Sequence, residues 1–287
     1  MGRIAYVNGR FLPQREATVH IEDRGYQLAD AVYEVWALFD GKLTDAEGHF
    51  TRLERSLSEL RIPMPMSRRA LTLVLREAVR RNRIRDGLVY LQVSRGVAPR
   101  DHAFPTQPVA PAMVITVSAV DRVAAEIRAA KGIGVITTPE NRWGRCDIKT
   151  VGLLPNALAK QKAREAGATE AWFVDELGFV TEGASSNAWI VDGEGRLRTR
   201  DANANILRGI TRHTLLDVIA QAGLEVDERP FTPDEAVAAQ EAFITGAGTL
   251  VLPVIAVDGR PVGKGAPGPV AARLRRLYIE RARATAI

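Results

Sequence analysis

The first 40 or so positions are rich in strand-like runs of apolar residues. "RIAYV" and "RFLP" flank Asn8 and Gly9, a pair that suits the type I′ turn of a tight hairpin. "AVYEVWALF" and "KLT" flank Asp40 and Gly41 in the same way. A helical period follows. Phe50, Leu53, Leu57 and Leu60 form one stripe of a helix over about 49–60, and a second helix is expected over about 68–82 with Ser67 as its cap. "LVYLQVSRG" and "AMVITVSAV" return to strand alternation, on either side of a loop carrying Pro99, Pro105 and Pro108.

A charged, alanine-rich stretch, "VDRVAAEIRAAK", interrupts the pattern at about 120–131 and reads as a short linker. Beyond it, strands such as "GIGVITT", "EAWFVDE", "GFVTEG" and "SNAWIVD" mix with helices expected near 154–166, 210–222 and 268–285. "TPDE" at 232–235 is a capping box with proline at the first helical position. Strands outnumber crossover helices, which argues against a doubly wound parallel sheet and for an α+β fold. Two domains are expected, a smaller one over 1–120 and a larger one over 121–287 that carries Lys149.

Composition narrows the classes. With 287 residues and 46% hydrophobic content, the chain can bury a large core. No apolar run approaches the ~18 residues of a membrane span. "MGRIAYVNGRFLP" lacks the apolar segment of a signal peptide, so a cytoplasmic protein is expected. Cys146 is the one cysteine, so neither a disulfide framework nor a multi-cysteine metal site is expected. The net charge is +5 and the pI about 9.6. That balance suits an RNA-binding protein, but the basic clusters "REAVRRNRIR" and "RLRRLYIERARA" have apolar residues at helical spacing. Their arginines then form the solvated faces of amphipathic helices, and no nucleic-acid partner is expected.

Of the 39 basic residues only six are lysine. Lys42, Lys131, Lys160, Lys162 and Lys264 fall in turns, helices or the linker. Lys149, in "RWGRCDIKTVG", reads as the end of a buried strand between Ile148 and Val151. Burial lowers a lysine pKa and makes it a nucleophile toward carbonyl compounds. Read locally, Lys149 equally suits a surface pair with Asp147, two residues away on the same strand face. An aldehyde cofactor such as pyridoxal phosphate would also need an acid against its ring nitrogen and a cup for its phosphate. Glu182, before the small residues Gly183, Ala184 and Ser185, can supply the acid or be an exposed hairpin glutamate. Gly209 opens a helix at Ile210 and Thr211, where free N–H groups attract phosphate. The turn "ITGAGT", with Gly246 and Ala247, can face it, and Arg52 can add a counter-charge. In "SRGVAPRDHAFP", Arg100 and His102 project to one side of an extended loop and could grip a carboxylate, with Tyr33 adding a hydroxyl. Alone, the same stretch also reads as a solvated turn with Arg100 bound to Asp101.

"RCDIKTVGLLPNALAKQKA", "VTEGASSN", "ILRGIT" and "EDRGYQLADAVYEV" together resemble the class IV (fold type IV) pyridoxal-phosphate aminotransferases, from about residue 3 to 260. The resemblance implies a smaller N-terminal α+β domain and a larger domain with barrel-like β-structure. It implies that Lys149 forms the Schiff base and moves the proton, that Glu182 faces the ring nitrogen, and that Arg52, Ile210 and Thr211 hold the phosphate. It also implies a homodimer in which the partner completes the site. Arg100, His102 and Tyr33 are similar to the carboxylate trap of the D-amino acid branch. Members of that branch transfer the amino group of a D-amino acid, such as D-alanine or D-glutamate, to 2-oxoglutarate or pyruvate. The alternatives within the family are branched-chain L-amino acid aminotransferase, (R)-amine transaminase and 4-amino-4-deoxychorismate lyase. Two departures stand out. Gly246 and Ala247 occupy positions where the D-amino acid branch carries hydroxyls, leaving only backbone donors, and Ala184 stands where serine is common.

Overall fold

The computed structural model describes residues 2–203 and 205–287. They divide into two compact units, the first formed by Met1–Asp121 with Ile148–Gly152 and Thr285–Ile287, the second by Arg122–Asp147 and Leu153–Ala284.

The first unit is one antiparallel sheet covered by helices. Its elements are β1 (Ile4–Val7), β2 (Arg10–Pro13), α1 (Arg24–Leu28), β3 (Ala31–Phe39), β4 (Lys42–Leu43), α2 (Ala46–Glu59), α3 (Arg68–Asn82), β5 (Gly87–Ser94) and β6 (Ala112–Ala119). The strand order is β2-β1-β6-β5-β3-β4. Both expected hairpins form, and the first turn has positive φ at Asn8 and Gly9 as its type requires. Ser67 caps α3 by accepting from the N–H of Ala70. One face of β3 presents Val32, Glu34, Trp36 and Leu38, all fully buried. The apolar members pack with Val89, Leu91 and Val93 of β5 and with Phe50, Leu53 and Leu57 of α2. Truncating a leucine in such a core costs about 2–5 kcal/mol. Tyr33 alternates with this set, as does Tyr90 with its neighbours on β5; the two rings stack at 5.7 Å between centroids.

The second unit is a mixed sheet that curls. It contains α4 (Arg122–Lys131), β7 (Ile133–Pro139), α5 (Leu154–Glu165), β8 (Glu170–Val174), β9 (Val180–Gly183), β10 (Asn187–Val191), β11 (Leu197–Thr199), α6 (Ile210–Gln221), β12 (Val226–Glu228), α7 (Pro233–Ala238), β13 (Glu241–Gly246), β14 (Leu250–Val257), β15 (Arg260–Pro261) and α8 (Pro269–Thr285). The order is β12-β11-β10-β13-β14-β7-β8-β9, with β15 on β14. Only β11–β12, β14–β7 and β7–β8 are parallel. The sheet bends until β9 lies against β10, and the N–H of Gly183 reaches the carbonyl of Ser186 at 2.7 Å. That gives the barrel-like β-structure. Trp172, Phe231, Ile190, Ile244 and Leu252 fill its interior. Thr232 and Glu235 form the expected capping box on α7.

Two expectations are corrected. The stretch read as a linker at 120–131 is α4, because its alanines favour helix once Ala129 is buried in the second unit's core. Lys149 does not end a strand, nor does it group with the larger unit. Ile148–Gly152 is irregular and belongs with the first unit, joined to it by a single bridge between Val32 and Thr150. The N–H of Val151 binds the carbonyl of Ala31, and Ile148 enters the first core. Alternating apolar residues imitate a strand there without forming a ladder.

Candidate active site

Lys149 is half-buried, and its Nζ lies 4.2 Å from the centre of the Tyr33 ring. The backbone locks the pair, since the N–H of Tyr33 donates to the carbonyl of Lys149 at 3.0 Å. An ammonium over an aromatic face is held by the ring's quadrupole. The alternative partner, Asp147, instead takes a two-pronged bond from Arg145 at 2.9 and 3.0 Å. Tyr90, which sequence reasoning missed, backs Tyr33 and donates its hydroxyl to Gln92. Burial, helped by Tyr33, pushes the Tyr90 pKa up to about 12, so it stays a neutral donor.

Arg52 is buried on α2, its Nε and Nη2 each 2.8 Å from an oxygen of Glu34. His49 Nδ1 adds a third contact to Glu34 at 2.7 Å. Burial works against the charge on Glu34, but Arg52 and His49 outweigh it and hold the pKa down at about 2. Burial lowers the pKa of His49, against the opposing pull of Glu34. Sequence reasoning missed Glu34 as well, although it falls in phase with Val32, Trp36 and Leu38. A glutamate on the buried face of a strand requires a cation opposite.

Arg100 and His102 are exposed on the loop after β5. Arg100 does not take up Asp101 as its partner: Asp101 caps its own turn, accepting from the N–H of Ala103 at 3.1 Å, and its carbonyl is held by Arg24.

In the second unit three segments converge. Glu182, 5% exposed at the end of β9, accepts from Arg142, from Asn187 Nδ2 at 3.0 Å and from the N–H of Leu207 at 3.1 Å. Arg142 also binds Glu140. Burial opposes the charge of Arg142, yet the bond to Glu140 and the charge of Glu182 raise its pKa above the ordinary value. Sequence reasoning did not single out Arg142, though it lies in the lysine motif. Asn187 then reaches Gly209, the cap of α6: a Cβ at Gly209 would sit 2.0 Å from Asn187 Oδ1, so only glycine fits. No side chain caps α6, which leaves the N–H groups at Ile210 and Thr211 to an anion. Gly246 closes the set. A Cβ there would lie 3.2 Å from the carbonyl of Ser185, so the turn bearing Gly246 and half-buried Ala247 packs beside the loop after Glu182. Thr249 Oγ1 folds back toward the carbonyl of Gly246 at 3.5 Å.

The first unit offers an amine beside an aromatic ring, and the second offers a carboxylate fixed by an arginine and an uncapped helix start near a glycine turn; each is a kind of group that pyridoxal phosphate calls for. The family model for amino-transferase class IV matches residues 31–257. The chain belongs to the class IV aminotransferases. It is 40% identical over 263 residues to the D-alanine aminotransferase of Bacillus licheniformis, covering 92% of this chain and 91% of that one. It is 38% identical to that of Staphylococcus haemolyticus, covering 96% and 97%. Among solved structures, a T.th. branched-chain amino acid aminotransferase with pyridoxamine 5′-phosphate superposes with a TM-score of 0.86 at 29% identity, covering 98% and 94%. The Escherichia coli branched-chain enzyme superposes with a TM-score of 0.90 at 23% identity, over 98% and 95% of the chains, and supports the fold. As a class IV aminotransferase the chain is an amino-group transferase. Among the described residues, no helix is long and apolar enough to cross a membrane.

Proposed function

We propose that this aminotransferase exchanges the amino group of a D-amino acid, such as D-alanine or D-glutamate, with 2-oxoglutarate or pyruvate. The observation that carries the reading is Lys149, held beside Tyr33 by both backbone and ring, in a chain whose relatives at 36–40% identity are D-alanine aminotransferases. Pyridoxal phosphate, when bound, withdraws electrons from the donor Cα.

The chain's own residues do the rest. Lys149 would hold the cofactor and would serve as the general base for the donor Cα proton. Glu182, bonded by Arg142 and Asn187, would face the ring nitrogen. Ile210 and Thr211 bind the phosphate by backbone N–H groups and the Thr211 hydroxyl, Gly246 and Ala247 by backbone alone, and Arg52 by charge. Tyr33, Arg100 and His102 hold the donor's carboxylate. The active species is a cytoplasmic homodimer in which the partner completes the site. Isoleucine- and leucine-type L-donors form the second reading, favoured by the likeness to the T.th. branched-chain enzyme.

A donor screen decides. The cofactor-loaded protein is offered both enantiomers of alanine, glutamate and leucine, and oxo-acid formation is followed. Turnover of D-alanine or D-glutamate above the L-forms supports the proposal; turnover confined to L-leucine overturns it.

A further inference from the structure

The segment that carries "EDRGYQLAD" contains a buried charge cluster that none of the roles above uses. Residues 96–111 leave β5 and return to β6 through a narrow neck. Gly96 has φ +107°, and a Cβ on it would sit 2.1 Å from the carbonyl oxygen of Ala110, so the neck closes only around glycine. Inside the neck the loop is held by two arginines that share one carboxylate. Arg24, 2% exposed, donates Nε to Asp30 at 2.8 Å and Nη1 to the carbonyl of Asp101 at 2.6 Å. Arg95, 6% exposed, donates Nε and Nη2 to the two oxygens of Asp30 at 2.7 and 3.0 Å. Arg95 also holds the carbonyls of Leu60 and Arg61, and its guanidinium lies 3.7 Å from the centre of the Phe104 ring. The backbone of Arg24 adds a bond to the carbonyl of Gly96 at 3.0 Å.

Asp101 is the residue between Arg100 and His102. The cluster therefore pins the backbone at Asp101, between those two exposed side chains, and holds the ring of Phe104 three residues on. Two guanidiniums and a carboxylate out of water are tolerated only when hydrogen-bonded throughout, and such a set holds one geometry. A loop fixed at its tip loses little freedom when a ligand engages it.

We propose that Arg24, Asp30 and Arg95 are positioning residues for a carboxylate-recognition loop. They set Arg100 and His102 for the carboxylate of the amino donor without touching it, and this rests on the carboxylate role given to Arg100 above. The cluster thereby governs affinity for carboxylate ligands and leaves the proton-transfer machinery alone.

The test uses the cofactor-loaded protein and a double-mutant cycle of Arg24→Met and Arg100→Leu. KM and kcat are measured with whichever alanine enantiomer the wild type turns over, along with inhibition by propionate, a carboxylate with no amino group. Amide exchange of residues 97–104 is measured in parallel. Arg24→Met should raise KM and the propionate inhibition constant about tenfold with kcat within about threefold, and exchange in the loop should quicken while β3 stays protected. On the Arg100→Leu background, Arg24→Met should add less than about twofold, since the positioned group is gone. An undiminished effect on that background overturns the positioning alone, as does a normal KM in Arg24→Met. Normal KM and propionate binding in Arg100→Leu overturn both the positioning and the carboxylate role of Arg100. Should Arg24→Met not fold, Phe104→Ala replaces it. That change uncovers one face of the Arg95 guanidinium but leaves its bonds to Asp30 in place, and it should raise KM by about twofold to threefold with the same loss of effect beside Arg100→Leu; an unchanged KM overturns the proposal.

Discussion

The guanidinium of Arg52 meets the carboxylate of Glu34 edge to edge, two bonds of 2.8 Å with both side chains out of water. The pair fixes the orientation of the one buried arginine that the sequence pattern assigns to phosphate. It also ties the fold to pH. The Glu34 pKa is about 2 in the folded chain against an ordinary 4.5.

A depressed carboxylate pKa stabilises the fold above the unfolded value and loses that contribution as pH falls through the folded one. For Glu34 the loss runs from about pH 4.5 down to about 2 and amounts to roughly 3 kcal/mol. Urea unfolding of the cofactor-free protein at pH 6, 4 and 3 measures it. Glu34→Gln should lose about 3–5 kcal/mol at pH 6, because Arg52 is left buried without its counter-charge, and should show a shallower acid slope than the wild type. An identical slope in the variant assigns the acid sensitivity to other carboxylates.

Much of the fold is legible in the sequence. The hairpin turns at Asn8 and Asp40, the Ser67 cap and the Thr232 box are local signals, and each formed where expected. Glu34 was readable too, since a glutamate in phase with Val32, Trp36 and Leu38 must face the core. Its partner, 18 residues away on α2, was not, because that pairing depends on how the helix is rotated. Arg24 and Asp30 lie six apart in a motif whose turn brings them together, while Arg95 reaches Asp30 only through the fold. Lys149 misled for a related reason. Ile148 and Val151 carry strand-like chemistry, but a single bridge to Val32 replaces the ladder.

Lys149→Ala removes the amine that lies over the Tyr33 ring. The variant should bind pyridoxal phosphate without the imine absorption band and should show no multiple turnover, while its unfolding midpoint stays close to wild type. Retention of the wild-type turnover rate would mean another group carries the chemistry.

Arg142→Met leaves Glu182 with Asn187 and the N–H of Leu207 as donors, and leaves Glu140 without its guanidinium. A hydrogen bond to a charged group is worth about 1.5–3 kcal/mol, so single-turnover rates with the preferred donor should fall by about one to two decades. Glu182→Gln should slow the same step, because an amide cannot stabilise a protonated ring nitrogen. If the Arg142 variant reacts at the wild-type rate, the arginine serves the fold and not the acid.

Gly209→Ala tests the convergence in the second unit with one carbon atom. The added Cβ would fall 2.0 Å from Asn187 Oδ1, far inside van der Waals contact, and 3.4 Å from Arg212 Cβ. Asn187 cannot withdraw freely, since its amide nitrogen holds both Glu182 and the carbonyl of Leu207 at 3.0 Å. Either the start of α6 shifts or the Asn187 bond to Glu182 breaks. Under the roles proposed for the α6 start and Glu182, either route would weaken cofactor binding, the first at the phosphate and the second at the ring nitrogen. The dissociation constant for pyridoxal phosphate, followed by absorbance against added cofactor, should rise by at least about tenfold, the cost of one lost charge-assisted bond. Asn187→Ala opens the space that the new methyl needs. In that background Gly209→Ala should cost little more, and a full additional loss would place the damage elsewhere than between these two residues.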